Sequence, residues 1–178
     1  MKVDIFNTEN KYKIIYADPA WLYRDKAVAG GRGAGCHYTV TRLEDIKALP
    51  VEKLADDDSV LFMWVTMPFL EEAFDVMRSW GFEYKTVAFV WDKQRTNYGF
   101  YTLSQCELCL AFKKGRIPKR AVTNVRQFLS EKLGKHSEKP AKIRERIDTM
   151  YGHLPRIELF ARQQADGWDC WGNEVEEK

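Results

Sequence analysis

The apolar positions along the chain change period several times, and each change predicts an element. "YKIIYA" (Tyr12–Ala17) is a short run of β-branched and aromatic residues, the pattern of a strand buried on both faces. In "TRLEDIKALP", Leu43, Ile46 and Leu49 fall on one side of a short helix that Thr41 caps and Pro50 stops. "DDDSVLFMWV" reads as a turn and then a second buried strand, from about Ser59 to Val65. "TMPFLEEAFDVMRSWGF" predicts the clearest helix: Thr66 as cap, Pro68 in the first turn, Phe69, Ala73, Val76, Met77 and Trp80 at helical spacing, and Gly81 as its end. "YKTVAFVW" follows as a third strand, so that strand, helix and strand make the crossover of a parallel sheet.

Further on, "RTNYGFYTLS" reads as a loop and "CELCLAF" as a strand. The basic stretch "KKGRIPKRAVTNVRQFLSEKLGKHSEKP" has weak periodicity, and a connection of that length is uncommon unless it closes over a ligand. Pro140 opens a helix with Ile143, Ile147 and Met150 facing inward and Gly152 at its end. "RIELFA" (156–161) is another strand, and "GWDCWGNE" is rich in turn formers and aromatics. Strands alternating with helices predict an α/β fold, a mostly parallel sheet with helices on both faces, in a single domain spanning 1–178. Ligands of such sheets bind beyond the carboxyl ends of the strands, where both "DPAW" and "ARQQ" fall.

Composition agrees with a globular domain, at 178 residues, 45% hydrophobic and 13% aromatic. No apolar run approaches the roughly 20 residues that span a bilayer, and the N-terminus lacks the order of a signal peptide. A cytoplasmic protein that meets no membrane is expected. The net charge is only +2, but residues 113–146 hold twelve basic side chains against three acidic, a local +9 that leaves −7 elsewhere. A face that meets a polyanion and ordinary solvated lysines are both consistent with that asymmetry. Cys106 and Cys109 lie in a predicted strand, where residues three apart point to opposite faces, so no metal is expected and the thiols read as reduced and mostly buried.

Read alone, Asp18-Pro19-Ala20-Trp21 is a turn. At a strand end it offers more, because a carboxylate and a neighbouring carbonyl can accept both hydrogens of an aromatic amine while a flat side chain stacks on the ring. That is a pocket for an extruded nucleobase. The exocyclic nitrogen of adenine is a poor nucleophile, and acceptors aimed at its hydrogens stabilise the positive charge that grows as it attacks a methyl group.

"ADPAW", "LFMWVT", "WGFEYKTVAFVW", "HSEKP", "RIELFAR" and "GW…WGNE" follow one another in the order used by the amino-methyltransferases with a D-P-P-W motif, and the chain resembles that family over nearly its whole length. This is the group that makes N6-methyladenosine in messenger RNA and, in bacterial and phage relatives, N6-methyladenine in DNA. The resemblance implies a Rossmann-like methyltransferase fold, S-adenosylmethionine as cofactor and adenine in DNA, or else RNA, as substrate.

It implies that Asp18, Pro19, Ala20 and Trp21 are the catalytic motif, with Asp18 and the Pro19 carbonyl as acceptors and Trp21 as an aromatic wall. Lys139 is similar to the lysine that pairs with the cofactor carboxylate; Arg162, Gln164, Asn173 and Glu174 resemble its other contacts, and Asp4 and Ile5 lie where its adenine is held. Tyr38 and Arg32, around Gly30, Gly31, Gly33 and Gly35, are placed against the substrate, in a loop that reads either as a gate or as plain surface. One departure is Ala20, where the family has a second proline: the Pro19 carbonyl survives, but a fixed φ is lost and an N–H gained. Assembly as a homodimer or with a methyltransferase-like partner subunit is left open. A non-catalytic binding module and a zinc-stabilised nucleic-acid binder using Cys36, His37, Cys106 and Cys109 are the competing readings, separated by cofactor calorimetry and metal content.

Overall fold

A computed structural model describes residues 1–21, 42–134, 138–173 and 175. Thr41, Arg32, Tyr38, the four glycines, Cys36, His37 and Glu174 lie outside the described residues. Seven strands form one sheet in the order β5-β3-β4-β2-β1-β6-β7: β1 Tyr12–Ala17, β2 Ala55–Val65, β3 Glu83–Tyr98, β4 Leu103–Lys114, β5 Phe128–Ser130, β6 Arg156–Leu159 and β7 Asp169–Trp171. Among the described strands only β4 is reversed; it pairs antiparallel with β2 and β3. Parallel pairing joins β1 to β2 and β6, β3 to β5, and β6 to β7.

Alternation along the strands divides the core between two helical layers. Ile15, Ala17, Leu61, Met63, Val65, Leu110 and Phe112 face α1 (Leu43–Lys47), α2 (Val51–Leu54) and α3 (Leu70–Ser79), which contribute Ile46, Leu54, Val76 and Met77. Ile14, Tyr16, Phe62, Trp64, Trp91 and Cys109 face α4 (Ala141–Tyr151), which contributes Ile143, Ile147 and Met150. β1 is flanked by β2 and β6, so its carboxyl end is the topological switch point where α/β sheets open a crevice.

Several predicted boundaries move. Pro50 ends α1 but also caps α2, which the pattern concealed. The three aspartates belong to β2: the ladder with β1 steps from Tyr12↔Ala55 to Ile14↔Val60, so extra residues bulge out there, and Asp56 pairs with Lys13. Thr66 gives α3 no side-chain cap bond, and a 3₁₀ turn, Met67–Phe69, precedes the helix. The β2–α3–β3 crossover joins parallel strands that are not neighbours, because β4 inserts between them. "RTNYGFYTLS" is a β-hairpin rather than a loop, with β3 running to Tyr98 and β4 starting at Leu103. β5 and β7 are three-residue strands too short to show a period.

Candidate active site at the carboxyl edge of the sheet

Asp18 prolongs β1 by one residue, its N–H donating to the Leu159 carbonyl at 3.5 Å. Alternation turns its side chain to the layer of α4, the side of Ile14 and Tyr16. There Lys139, immediately ahead of α4, places its Nζ 2.9 Å from Asp18 Oδ1 and 3.0 Å from Oδ2. The same ammonium lies 3.4 Å from Glu107 Oε2, and Lys93 Nζ lies 3.1 Å from Glu107 Oε1. Glu107 sits in β4 one residue past the Leu108↔Val65 pair that ends β2. The result is an alternating row, Lys93, Glu107, Lys139, Asp18, with side chains between 10% and 21% exposed.

Aromatic groups support it. The Trp64 ring lies 5.7 Å beneath the Lys139 ammonium, a cation–π contact, and its Nε1 donates to the Tyr16 hydroxyl at 2.6 Å. Trp21 folds back: its indole donates to the Trp64 carbonyl at 3.3 Å, and its ring stacks on Phe69 at 5.9 Å. One ring face is therefore already covered, and the side chain is buried. The Trp21 N–H donates to the Pro19 carbonyl at 3.0 Å, which leaves that oxygen its second lone pair.

The rim comes from the ends of β6 and β7. Phe160 adopts φ 61°, a strained conformation for a bulky residue, and its ring meets Trp171 edge-on at 5.5 Å. The chain then turns through Ala161 to the half-buried Arg162 and the exposed Gln164. Gln163 donates to Glu138 at 3.2 Å, tying this turn to the segment that carries Lys139. Gly172 lies so close to Ala161 that a Cβ would overlap the Ala161 carbonyl oxygen, and this approach sets the exposed Asn173 beside the Arg162 turn. Gly172→Ala is expected to destabilise the fold by about 1–3 kcal/mol; thermal melting checks it. Asp4 and Ile5 follow a stretch that runs beside β7, with Val3 N–H donating to the Cys170 carbonyl at 2.9 Å.

The MT-A70 family model matches residues 12–174. The chain belongs to the MT-A70 family. Among its relatives is the type II methyltransferase M.MunI from Mycoplasma sp, 44% identical over 182 residues that cover 93% of this chain and 78% of that protein. The N(6)-adenine-specific methyltransferases METTL4 of Mus musculus and Homo sapiens are 27% and 24% identical, over 96% of this chain but 39% of each of theirs. As expected of an MT-A70 methyltransferase, the sheet is of the Rossmann-like α/β class with helices on both faces.

Within this MT-A70 site, burial alone would lower the Lys139 pKa, but the carboxylates of Asp18 and Glu107 outweigh it and hold the ammonium above its ordinary 10.5. A folded value above the unfolded one means stability that is fully present below about pH 10.5 and lost as pH rises through the folded value. The Lys139 contribution is thus expected to stay level from pH 7 to about 10; urea titrations of wild type and Lys139→Met across that range check it. Burial pushes the Glu158 carboxyl up despite its 2.9 Å pair with Arg144. Burial and the Asp18 charge together hold the Cys109 thiol well above its ordinary value.

Glu107, Lys93 and Trp64 were not singled out from the sequence. An acid inside the apolar strand "CELCLAF", and a lysine two residues after "FVW", were the available signals. Several described side chains of the basic segment, in contrast, are spread over different parts of the fold. Lys113, Lys114 and Arg116 lie at the far end of β4, bound to Glu83, the Glu52 carbonyl and Asp58; Lys139 and Arg144 point inward; Arg146 holds the Arg126 and Phe128 carbonyls. Cys106 and Cys109 do lie on a strand, and among the described residues no group of His, Cys, Asp and Glu is arranged to hold a metal ion. No described helix is long and apolar enough to cross a membrane.

Proposed function

We propose that this MT-A70 protein is a cytoplasmic enzyme, one catalytic domain over 1–178, that transfers a methyl group from S-adenosylmethionine to the N6 amine of adenine in DNA. The observation that carries this reading is the Asp18 carboxylate at the end of β1, 2.9 Å from the ammonium of Lys139. Asp18 and the remaining lone pair of the Pro19 carbonyl accept the two amine hydrogens, holding the nitrogen where its lone pair can pyramidalise. Neither acceptor uses the side chain of residue 20, so Ala20 leaves the hydrogen-bond logic intact.

The site fits the cofactor by its donor set. Lys139 would hold the carboxylate, and Arg162, Gln164 and Asn173, with Glu174 beyond the described residues, would line the ribose and amino-acid portions. Glu107 Oε2 is buried beside Asp18, with the Lys139 ammonium 3.4 Å away, so a second carboxylate helps to hold the lysine charged where the cofactor carboxylate would meet it. When bound, the cofactor supplies an electrophilic methyl on a sulfonium. Lys139, already shared between Asp18 and Glu107, would share its ammonium with the cofactor carboxylate as well, which would leave an Asp18 oxygen free to accept from the amine. Tyr38 and Arg32 would meet the substrate from outside the described residues.

DNA is favoured over RNA by the likeness to a type II methyltransferase, a class that modifies DNA. Mass spectrometry of nucleosides from DNA and RNA incubated separately with the purified chain and labelled S-adenosylmethionine tests the reading. N6-methyladenine in DNA is expected. Label in RNA alone would replace the substrate, and no label in either, with cofactor bound, would leave a binding module or a chain that needs a homodimer or a methyltransferase-like partner.

A further inference from the structure

Four of the nine large apolar side chains exposed among the described residues fall within six positions: Tyr98, Phe100, Tyr101 and Leu103, between 58% and 100% exposed. They form the tip of the β3–β4 hairpin, where Tyr98 pairs with Leu103. Because β3 runs in the direction of β1, the tip projects from the same edge of the sheet as Asp18. Glu107 stands at its base, so Leu103 lies four residues further out, roughly 13 Å along the strand. Contiguous exposed aromatics mark an interaction surface.

The hairpin is braced to carry such a tip. The β3–β4 ladder steps from Asp92↔Cys106 to Asn97↔Ser104, a bulge in which Gln94 takes φ 52°. Asp92 closes the bulge: Oδ1 accepts from the Gln94 N–H at 2.9 Å and Gln105 Nε2 at 2.7 Å, and Oδ2 from Ser130 Oγ at 2.8 Å. Gly99 donates to the Thr102 carbonyl at 3.2 Å and shuts the turn. From Lys93 to Cys106 there is no acidic residue; Lys93 is tied to Glu107, and Arg95 is exposed. Flat rings, an accessible guanidinium and no negative charge suit stacked bases and phosphates better than a protein surface.

We propose that this tip reads the substrate DNA: the rings of Tyr98, Phe100 and Tyr101 stack on bases flanking the target adenine while Arg95 meets the phosphate backbone. The proposal rests on the DNA reading above. Its test uses the full chain, a fluorescein-labelled duplex taken from plasmid DNA that the wild type methylates, and the Tyr98→Ser/Phe100→Ser/Tyr101→Ser variant. Duplex affinity is expected to fall about tenfold or more, since a stacked base contributes on that scale, with the KM for DNA rising in step. Cofactor affinity and melting temperature stay level, because the replaced side chains are exposed. Tyr98→Phe/Tyr101→Phe retains binding, and Arg95→Gln lowers the salt slope by about one.

Unchanged duplex affinity in the serine variant overturns the proposal, as does failure of the phenylalanine variant to bind. Loss of affinity together with conversion of a dimer to a monomer in sedimentation would also overturn it, assigning the tip to a second copy. A wild type that methylates no DNA, in contrast, removes the DNA reading itself, whatever the hairpin variants do.

Discussion

Asp18→Asn lowers methyl transfer about 10²–10³-fold, the scale on which one preorganised polar group stabilises developing charge. Asparagine keeps the shape of the side chain but turns one acceptor into a donor and removes the negative charge that faces the growing positive charge on the amine. Cofactor affinity is expected to hold or to tighten. On the proposed reading the cofactor carboxylate would compete with Asp18 for the Lys139 ammonium, which Asp18 grips at 2.9 and 3.0 Å; a neutral side chain at position 18 would compete less. Single-turnover transfer from labelled cofactor, with calorimetry alongside, separates the two effects. Transfer at the wild-type rate would remove Asp18 from the chemistry.

Glu107→Ala is expected to destabilise the fold by about 3–5 kcal/mol, because a buried ion pair that loses one partner leaves the other charge uncompensated. Glu107 is the shared anion of Lys93 and Lys139, at 3.1 and 3.4 Å, and all three side chains are largely buried. Against a typical stability of about 5–15 kcal/mol, such a loss is large. Lys93→Met/Glu107→Leu recovers most of the loss, as apolar replacements of buried pairs often do. Urea denaturation of the single and double variants measures both, and a single-variant loss below about 1 kcal/mol would mean that the pair behaves as a surface one.

Local physics made much of the fold legible. β1 begins and ends where its apolar run does, and α4 fills the span between Pro140 and Gly152 that its periodicity and caps mark out. The core residues of α3 were readable for the same reason, since Ala73, Val76 and Met77 repeat at helical spacing. The candidate site was legible at Asp18 and Lys139 through the order of motifs, although these residues are 121 positions apart and nothing in either stretch announces their ion pair.

What the sequence by itself determined is therefore the α/β class, the strand end that presents Asp18 and the family to which the chain belongs. Tertiary structure alone decided which side chains meet that acid. The reversal of β4 carries Glu107 past the end of β2, and the turn of the chain ahead of α4 drops Lys139 between two carboxylates. It also made a hairpin of a polar, aromatic stretch with no clear alternation, and strands of the short β5 and β7. Those outcomes depend on ladder hydrogen bonds and charge pairs between segments distant along the chain, which a local period cannot encode.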